Sequence, residues 1–359
     1  MERLKGLYVL NSQAFTETYG PEELRDIGEM IDIPLEPQTS ESIWSDLSRL
    51  AEIDVLLTGW GGPKLGARLL DAAPKLKLVF YGAGSIVPIM TDLAWSRGIR
   101  VTSAYEANAI PVAEFTLGMI LLALKHTWQY AQKVRKIRGR PIHLPVPGCY
   151  GSTIGLVSLG MTGRSVLRLL KSFDLRVIAH DPYLSAEEAA ELGVELFPLH
   201  ELFRRCDVVS LHTPWLKETE GLITGTLIAS MKPDATLINT ARGILIRERE
   251  MIEVLTRRGD LQAILDVTDP EPPLDSSPLY DMPNVLLTPH IAGSMSGECR
   301  RMGVYMVEEL RRYIAGKPLK WEITQDRAIR TIHRPATLKA VINKRGIARA
   351  RRSMAGKRP

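Results

Sequence analysis

The chain has 359 residues, 45% of them hydrophobic and 24% charged, a composition that excludes a disordered or fibrous protein and indicates a globular one. This length exceeds what one hydrophobic core usually organises, so we expect two domains. The three cysteines are widely separated, which argues against a disulfide framework or a zinc site, and we expect no metal. The formal charge of +5 comes from residues 330–359, which contain ten Lys or Arg and no acid, so the rest of the chain is mildly acidic.

The segments that might direct the chain to a membrane have the patterns of ordinary structural elements. Residues 1–10 place two basic residues before a short apolar run, which predicts a β-strand rather than a signal peptide. The most apolar region, residues 110–124, is interrupted by Glu114, and we predict a buried helix there and no stretch long and apolar enough to span a membrane. We therefore expect a cytoplasmic protein with no membrane partner.

The first hundred residues alternate short apolar runs with helical patterns, which predicts a parallel sheet with helices between its strands. Two of these helices, Pro21–Ile31 and Pro63–Ala73, begin at prolines, because the missing N–H of proline costs nothing in a first helical turn. The predicted strands are 7–10, 54–57, 76–81 and 99–102.

A long helix is predicted next, over Pro111–Arg138, and the Pro- and Gly-rich segment 139–152 predicts a connector into a new unit. A second alternating series follows. Its six apolar runs, separated by helical patterns, indicate a doubly wound parallel sheet. The predicted strands are 153–157, 176–180, 208–212, 236–239, 262–266 and 285–288.

The turn after the first strand of this series has the spacing of a dinucleotide-binding loop. Residues 158–163 read Ser-Leu-Gly-Met-Thr-Gly, the pattern GxGxxG with serine in the first glycine position. Gly160 would let the backbone approach a pyrophosphate, and Gly163 would let the next helix pack on the strand. The helix N-terminus at Met161 and Thr162 would supply free N–H groups and a favourable dipole. The alternative is an ordinary strand-to-helix turn that contains two glycines.

An acidic residue follows where such a loop needs one. Asp181 ends the next strand, 18 residues after Gly163, and a carboxylate there can hydrogen-bond the hydroxyls of the adenosine ribose. Because the same carboxylate would repel a ribose 2′-phosphate, the sequence favours NAD over NADP as cofactor. The alternative is that Asp181, which precedes Pro182, only forms a turn.

Four polar residues lie at or after the ends of the last three predicted strands. Arg242 could hold a carboxylate through two hydrogen bonds, Asp266 ends the next strand, Glu271 follows that strand, and His290 follows the last strand. Since the carboxyl ends of parallel strands meet at one edge of a sheet, these side chains can converge on one crevice. Histidine titrates near the operating pH and a neighbouring carboxylate stabilises its charged form, so such a pair is suited to moving a proton.

At these residues the chain resembles the D-isomer-specific 2-hydroxyacid dehydrogenase family. The resemblance covers roughly residues 50–316, and several motifs in family order are more specific than any one of them. Ser85 differs, since many members have aspartate at that position. The segments that carry the resemblance are LHTP at 211–214, NTARG at 239–243, LDV at 265–267 with EP at 271–272, TPHIAG at 288–293, GAG at 82–84, and Asn108 with VAE at 112–114.

The resemblance implies that the protein interconverts a 2-hydroxy acid, of the D-isomer, and its 2-keto acid by hydride transfer with NAD. It implies that His290 is the acid/base and Glu271 its partner. Arg242 would bind the substrate carboxylate, and the backbone N–H groups of Ala83 and Gly84 would bind the other side of that carboxylate. The implied cofactor site, in which Asp266 orients the nicotinamide carboxamide, also includes Thr116, His212, Thr213, Pro214, Thr240, Ala241, Arg242, His290 and Gly293.

The family also implies an α/β architecture of two doubly wound parallel-sheet domains. Residues 111–291 would form a Rossmann-like NAD-binding domain, inserted in a flavodoxin-like substrate domain made of residues 1–110 and 292–330. The cleft between the domains would close on substrate. We expect a homodimer formed through the cofactor domain and the long helix. Residues 331–359 would be a mobile basic tail that binds polyanions weakly.

Other functions fit part of this pattern. Relatives that oxidise formate pair the histidine with glutamine, whereas this chain has Glu271. Phosphite oxidation is also open, because it uses an Arg, Glu and His set. A different class is an NAD-sensing, corepressor-like scaffold on the same fold, for which the basic tail would be an interaction arm. The complete set of Arg242, Glu271 and His290 favours an enzyme.

Overall fold

The computed structural model describes residues 3–140 and 145–331 of the chain. These residues form two parallel sheets, one of four strands and one of seven, with helices around them. The predicted α/β class is thereby confirmed. The predictions that the basic tail is mobile and binds polyanions concern residues from 332 onward, which lie outside the described part.

The smaller sheet contains the four strands predicted in the first hundred residues, in chain order and all parallel. Asp32 and Gln38 form isolated parallel bridges to Lys5 and Val9, so a vestigial fifth strand lies beside the first one and gives the flavodoxin-like order 2-1-3-4-5. Apolar side chains cover both faces, which is why these strands read as continuous apolar runs. The strands are β1 (Gly6–Val9), β2 (Val55–Thr58), β3 (Leu78–Tyr81) and β4 (Arg100–Ser103).

The larger sheet contains all six strands predicted in the second series and a seventh that was not predicted. The additional strand, Glu195–Leu196, has two residues and lies at one edge. The strands are β5 (Ser152–Val157), β6 (Leu175–His180), β7 (Glu195–Leu196), β8 (Val208–Leu211), β9 (Thr236–Asn239), β10 (Gln262–Leu265) and β11 (Val285–Leu287). Their spatial order is β7-β6-β5-β8-β9-β10-β11. Successive strands are added on one side of β5 up to β7 and on its other side from β8 onward, and doubly wound sheets bind ligands at the point between β5 and β8 where the order changes side.

Helices connect the strands of both sheets. In chain order they are α1 (Ser12–Thr18), α2 (Pro21–Met30), α3 (Ser40–Ser45), α4 (Ala67–Ala72), α5 (Asp92–Ser96), α6 (Tyr105–Ala123), α7 (Thr127–Ile137), α8 (Met161–Leu170), α9 (Ala186–Leu192), α10 (Leu199–Arg205), α11 (Gly225–Ala229), α12 (Glu248–Arg257), α13 (Arg300–Ile314) and α14 (Gln325–Thr331). Helix α4 begins four residues later than predicted, because the backbone N–H of Leu65 donates to Ile89 in the loop after β3 and holds residues 63–65 out of the helix.

The single helix predicted over Pro111–Arg138 is wrong at its start and in its middle. Helix α6 begins at Tyr105 and carries Pro111 inside it, where the proline removes only the hydrogen bond to the carbonyl of Ala107. The chain then leaves the helical conformation, and His126, with φ of 49°, turns it into α7. A histidine at such a position does not indicate the end of a helix in the sequence, whereas the glycine that usually adopts the left-handed conformation does.

Helix α6 also corrects the expectation about membranes. With 19 residues, it is long and apolar enough to cross a membrane by length and composition alone, contrary to the prediction that no stretch would be. In this structure α6 packs against α8, α13 and β9 and buries Ala113, Thr116 and Ile120. The cytoplasmic location stays a prediction.

After the larger sheet the chain returns to the smaller one. Helix α13 packs against α1, α2 and β3, and the segment after it lies along β4, where the N–H of Ser103 donates to the Trp321 carbonyl at 3.1 Å. Arg100 of β4 forms two hydrogen bonds of 2.7 Å with Glu322. This return is the connectivity that a discontinuous domain requires, while the boundaries proposed at residues 110 and 292 stay predictions.

Candidate active site

The dinucleotide loop is closely packed at Gly163, where it contacts the protein, and open at Gly160. Between β5 and α8 the chain turns at Ser158, whose φ is 77° although it carries a side chain. A Cβ at Gly163 would lie 2.2 Å from the carbonyl oxygen of Ser158, so only glycine lets the helix approach the strand this closely. A Cβ at Gly160 would meet nothing within 4 Å among the described residues. The N-terminus of α8, starting at Met161 and Thr162, is therefore accessible to an anion.

Asp181 contacts this loop directly. One oxygen of its carboxylate accepts from the backbone N–H of Leu159 at 2.8 Å and lies 3.4 Å from the hydroxyl of Ser158. The other oxygen accepts from the backbone N–H of Tyr183 at 2.9 Å. The turn-forming alternative considered for Asp181 thus describes a real contact, and the carboxylate also lies beside the proposed phosphate loop.

His212 adjoins the same loop from β8. Its side chain is buried, its Nε2 lies 3.1 Å from the hydroxyl of Ser210, and its Nδ1 has no hydrogen-bond partner among the residues that the structure describes. Burial lowers the pKa of His212 to about 4, so the ring is neutral. Thr213 donates to the carbonyl of Val157 at 3.3 Å, and Pro214 is the next residue of the chain.

The open approach at Gly160 and the orphaned nitrogen of His212 fit a bound dinucleotide. The first provides space for a pyrophosphate at a helix N-terminus, and the second provides a buried polar atom that a ligand can satisfy. A third contact, between the hydroxyls of Thr116 and Thr240 at 3.1 Å, ties α6 to the end of β9 on the same side of the sheet.

The backbone of Arg242 is held by the turn that contains it. The side chain of Asn239 braces the turn, because it donates to the carbonyl of Arg242 at 2.9 Å and accepts from the N–H of Ala241 at 3.0 Å. A Cβ at Gly243 would lie 2.0 Å from the backbone carbon of Thr268, so this turn is pressed against the next loop. Sequence reasoning quoted Asn239 only within a motif and gave no role to it.

The Arg242 side chain reaches solvent in the crevice, where its Nη1 donates to the carbonyl of Ala241 at 2.6 Å. The protein packed around the guanidinium lowers the pKa of Arg242 by desolvation, and the nearby charge of Glu271 partly counteracts this. A guanidinium that is accessible in the crevice, with the charge of Glu271 nearby, is a favourable position for a carboxylate from a ligand.

Glu271 and His290 form a close pair. The Nδ1 of His290 lies 2.6 Å from Oε1 of Glu271, and the two side chains are 50% and 41% exposed. The hydrogen bond with Glu271 raises the pKa of His290, against opposing effects of partial burial and of Arg242. With Nδ1 occupied by the carboxylate, Nε2 is the nitrogen through which His290 can exchange a proton with a ligand.

Asp266 sets the position of His290. Its buried carboxylate accepts from the hydroxyl of Thr288 at 2.6 Å and from the backbone N–H groups of Ile291 at 2.8 Å and Ala292 at 3.0 Å. His290 itself has a φ of 58°, and its N–H donates to the Asp266 carbonyl at 3.0 Å. These contacts assign Asp266 a structural role, and the predicted contact with the nicotinamide carboxamide stays a prediction.

Asn108 joins the two halves of the crevice. Its Oδ1 accepts from the backbone N–H of Ser294 at 2.9 Å, and a Cβ at Gly293 would lie 3.2 Å from the same oxygen. On its other side, a Cβ at Gly84 would lie 3.4 Å from Asn108 Nδ2. The loop that contains Ala83 and Gly84 is therefore brought beside the segment that follows His290, which the sequence motifs alone did not reveal.

The comparisons with known proteins show which family the chain belongs to. Residues 117–292 match the family described as "D-isomer specific 2-hydroxyacid dehydrogenase, NAD binding domain", so this part of the chain is an NAD-binding domain. A hydroxypyruvate reductase of Thermotoga maritima is 31% identical over 276 residues, which cover 76% of this chain and 89% of that protein. The chain belongs to the D-isomer specific 2-hydroxyacid dehydrogenase family.

Other relatives differ in length or identity. A D-3-phosphoglycerate dehydrogenase of Mycobacterium tuberculosis is 34% identical over 271 residues, which are 76% of this chain but 51% of that protein. The chain thus spans about half the length of these curated relatives. A D-mandelate dehydrogenase structure from Rhodotorula graminis has a TM-score of 0.75 at 24% identity, covering 89% of this chain and 97% of that one, and supports the fold alone.

Proposed function

We propose that the protein is an NAD-dependent oxidoreductase that interconverts a D-2-hydroxy acid and its 2-keto acid. The observation that carries the proposal is the 2.6 Å contact between Glu271 and His290 in the crevice that contains Arg242. The dinucleotide loop follows β5 at the same carboxyl edge of the same sheet. A proton-transfer pair, a carboxylate-binding cation and a nucleotide loop together suit hydride transfer to a keto acid.

Substrate binding depends on Arg242 and on the backbone across the crevice. The Arg242 guanidinium binds the substrate carboxylate and polarises the adjacent carbonyl group. The N–H groups of Ala83 and Gly84 bind the carboxylate from the other side, which the contacts of Asn108 make possible. Two-sided binding of the carboxylate fixes the face of the substrate's C2 that meets the cofactor.

Proton transfer depends on His290. Bound beside Arg242 and His290, the nicotinamide cofactor would supply the hydride acceptor for C2 of the hydroxy acid and, in its reduced form, the hydride donor for the keto acid. His290, protonated and oriented by Glu271, donates its Nε2 proton to the carbonyl oxygen during reduction and takes it back during oxidation. The Glu271 side chain stabilises the imidazolium, which is consistent with the raised pKa of His290.

We assign the cofactor to the cleft formed by the dinucleotide loop, Asp181, residues 212–214 and the end of β9. Asp181 would bind the adenosine ribose and disfavour a 2′-phosphate. We also propose the division into a substrate domain of residues 1–110 and 292–330 and a cofactor domain of residues 111–291. Its support is that each sheet has core clusters of its own.

The proposed homodimer uses the surface of α6 and α7. Helix α7 has no buried residue, and Val134 and Ile137 on it are 46% and 52% exposed, as is Leu122 of α6 at 41%. Exposed apolar side chains along one helical region are typical of surfaces that pair. The solution mass of the protein and of a variant with Val134→Glu and Ile137→Glu tests this.

The decisive experiment is a panel of 2-keto acids with NADH, with the stereochemistry of the product determined. We expect reduction of at least one acid to the D-product. Binding of NADH without turnover of any acid would instead favour the NAD-sensing scaffold, and oxidation of phosphite with NAD would favour the phosphite activity. The same panel with NADPH measures the proposed preference for NAD.

A further inference from the structure

Ser158 holds a backbone conformation that residues with side chains rarely adopt. Its φ of 77° places it in the left-handed region, at the position where the GxGxxG pattern has glycine. This conformation is less favourable in free energy for a residue with a Cβ than it is for glycine. Something in the surrounding structure must therefore compensate for the serine, because the loop keeps the tight turn.

Asp181 makes the contacts that can compensate. Its Oδ2 accepts from the N–H of Leu159, the residue directly after the strained one, at 2.8 Å, and lies 3.4 Å from the hydroxyl of Ser158. The carboxylate is itself fixed from behind, because its Oδ1 accepts from the N–H of Tyr183 at 2.9 Å. A third hydrogen bond, from the N–H of Ser158 to the carbonyl of His180 at 2.7 Å, ties the turn to the end of β6.

The turn cannot relax independently of the helix that follows. The Ser158 carbonyl oxygen lies against Gly163, at a distance that leaves no room for a Cβ. If Ser158 left the left-handed region, this carbonyl would rotate and the first N–H groups of α8 would move with it. The conformation of Ser158 therefore sets the direction of the N–H groups that face the proposed pyrophosphate.

We propose that Asp181 is a positioning residue for the phosphate loop of this chain, holding Ser158 in its left-handed conformation. This role adds to the proposed ribose contact, and its effect on cofactor binding rests on the proposed NAD site. It follows that the two roles of Asp181 are separable. Replacing Ser158 with glycine removes the need for support, whereas the ribose contact is lost in every Asp181→Ala background.

The test is a double-mutant cycle on NADH binding, measured by fluorescence titration. Asp181→Ala should weaken NADH binding through both roles, and Ser158→Gly/Asp181→Ala should recover the part due to the loop. The left-handed conformation costs ~1 to 2 kcal/mol, so the recovery should be about five- to thirtyfold in Kd at ~1.4 kcal/mol per tenfold. In the Ser158→Gly background, Asp181→Ala should weaken NADH binding only through the ribose contact, so its fold-change in Kd should be smaller than in the wild-type background.

Two further variants control the cycle. Ser296→Gly/Asp181→Ala removes another serine with positive φ, 49°, that lies outside the loop, and should recover nothing. Asp181→Asn keeps an oxygen that can accept from Leu159 but removes the charge, so it should bind NADH more tightly than Asp181→Ala does. Equal Kd values for Asp181→Ala with and without Ser158→Gly would overturn the proposal.

A cofactor-free readout separates this proposal from the proposed function. Hydrogen exchange of the peptide spanning residues 155–165 should be faster in Asp181→Ala than in Ser158→Gly/Asp181→Ala, since the serine loop opens when its support is removed. If wild-type protein bound no NADH, the NAD-dependent function would fail while this measurement still decided the positioning role. Equal exchange in the two variants would contradict the positioning role whatever the cofactor does.

Discussion

Two regions at the carboxyl edge of the larger sheet each hold polar groups in position for a ligand, but they use different parts of the residue to do so. The dinucleotide loop presents backbone N–H groups, and the proposed catalytic crevice presents the side chains of Arg242, Glu271 and His290. Each region contains a residue with positive φ that is not glycine, Ser158 at 77° and His290 at 58°. In each, an aspartate from a neighbouring strand end accepts hydrogen bonds from the adjoining backbone.

The difference lies in what the positioned group does. At the dinucleotide loop the proposed ligand would contact the main chain, so a serine can replace glycine if the turn keeps its shape. In the crevice it would contact particular side chains, so the chemical identity of those side chains matters as well as their position. Single replacements should therefore affect chemistry most in the crevice, and binding or folding most in the loop.

The largest effect is expected for His290→Ala, which removes the proposed acid/base. General acid–base catalysis contributes about 10²- to 10⁴-fold, so kcat/KM for keto-acid reduction should fall by that factor across the pH range. His200→Ala is the matched control, because His200 is exposed on α10 and pairs with Glu201. Steady-state kinetics on both variants checks this, and a normal rate for His290→Ala would move the acid/base elsewhere.

Arg242→Lys should have the next largest effect. An ammonium cannot form two parallel hydrogen bonds with a carboxylate, and the loss of one charged bond is worth ~1.5 to 3 kcal/mol, roughly a ten- to hundredfold fall in kcat/KM. NADH affinity should change little. Arg247→Lys, five residues along and bonded to Gly221 and Glu250, is the control. An unaltered kcat/KM for Arg242→Lys would remove it from the site.

Gly163→Ala and Gly160→Ala should separate folding from binding within the loop. The first places a methyl group 2.2 Å from the Ser158 carbonyl and should destabilise the protein by ~1 to 3 kcal/mol, measured by chemical unfolding. The second meets no protein atom within 4 Å, so stability should be kept while NADH binding weakens. Equal loss of stability in both variants would contradict the open approach at Gly160.

Glu271→Gln should produce the smallest effect, a shift in pH dependence. Reduction needs protonated His290, whose pKa Glu271 raises, so kcat/KM is full below that pKa and falls as pH rises through it. Without the carboxylate the fall should occur at lower pH. An opposite charge shifts a pKa by about 1 to 3 units, and partial exposure of both side chains places the shift near the lower limit. An unmoved high-pH limb would show that Glu271 is not the partner.

The sequence predicted the strands well because of their environment. Strands of a parallel sheet are buried on both faces, so all ten predicted runs appear within two residues of their predicted bounds. Glu195–Leu196 was missed because two residues at a sheet edge leave no apolar pattern. The break at His126 was missed because helix ends are usually marked by glycine or proline, and neither is present there.

The candidate residues of the site could be proposed from their side chains, whereas the backbone hydrogen bonds that hold them in position could not. Arg242, Glu271 and His290 stand out by residue type at strand ends. The residues that hold them in position do not stand out in the sequence. The side chains of Asn108, Asn239 and Asp266 form hydrogen bonds with backbone groups that are distant in sequence or that lie within turns. The serine in the first glycine position weakened the loop motif, whereas its φ of 77° keeps the turn.

The return of the chain to β4 has a consequence for biosynthesis. Residues 6–103 supply all four strands of the smaller sheet and are synthesised first, yet Arg100 pairs with Glu322, 222 positions later. On one face, Tyr8 and Phe80 pack with Met302 and Met306 of α13, which the ribosome has not yet made when the strands emerge. The first sheet to be translated is therefore the last to be completed, and its apolar face is exposed to chaperones and to other nascent chains while the larger sheet is being translated.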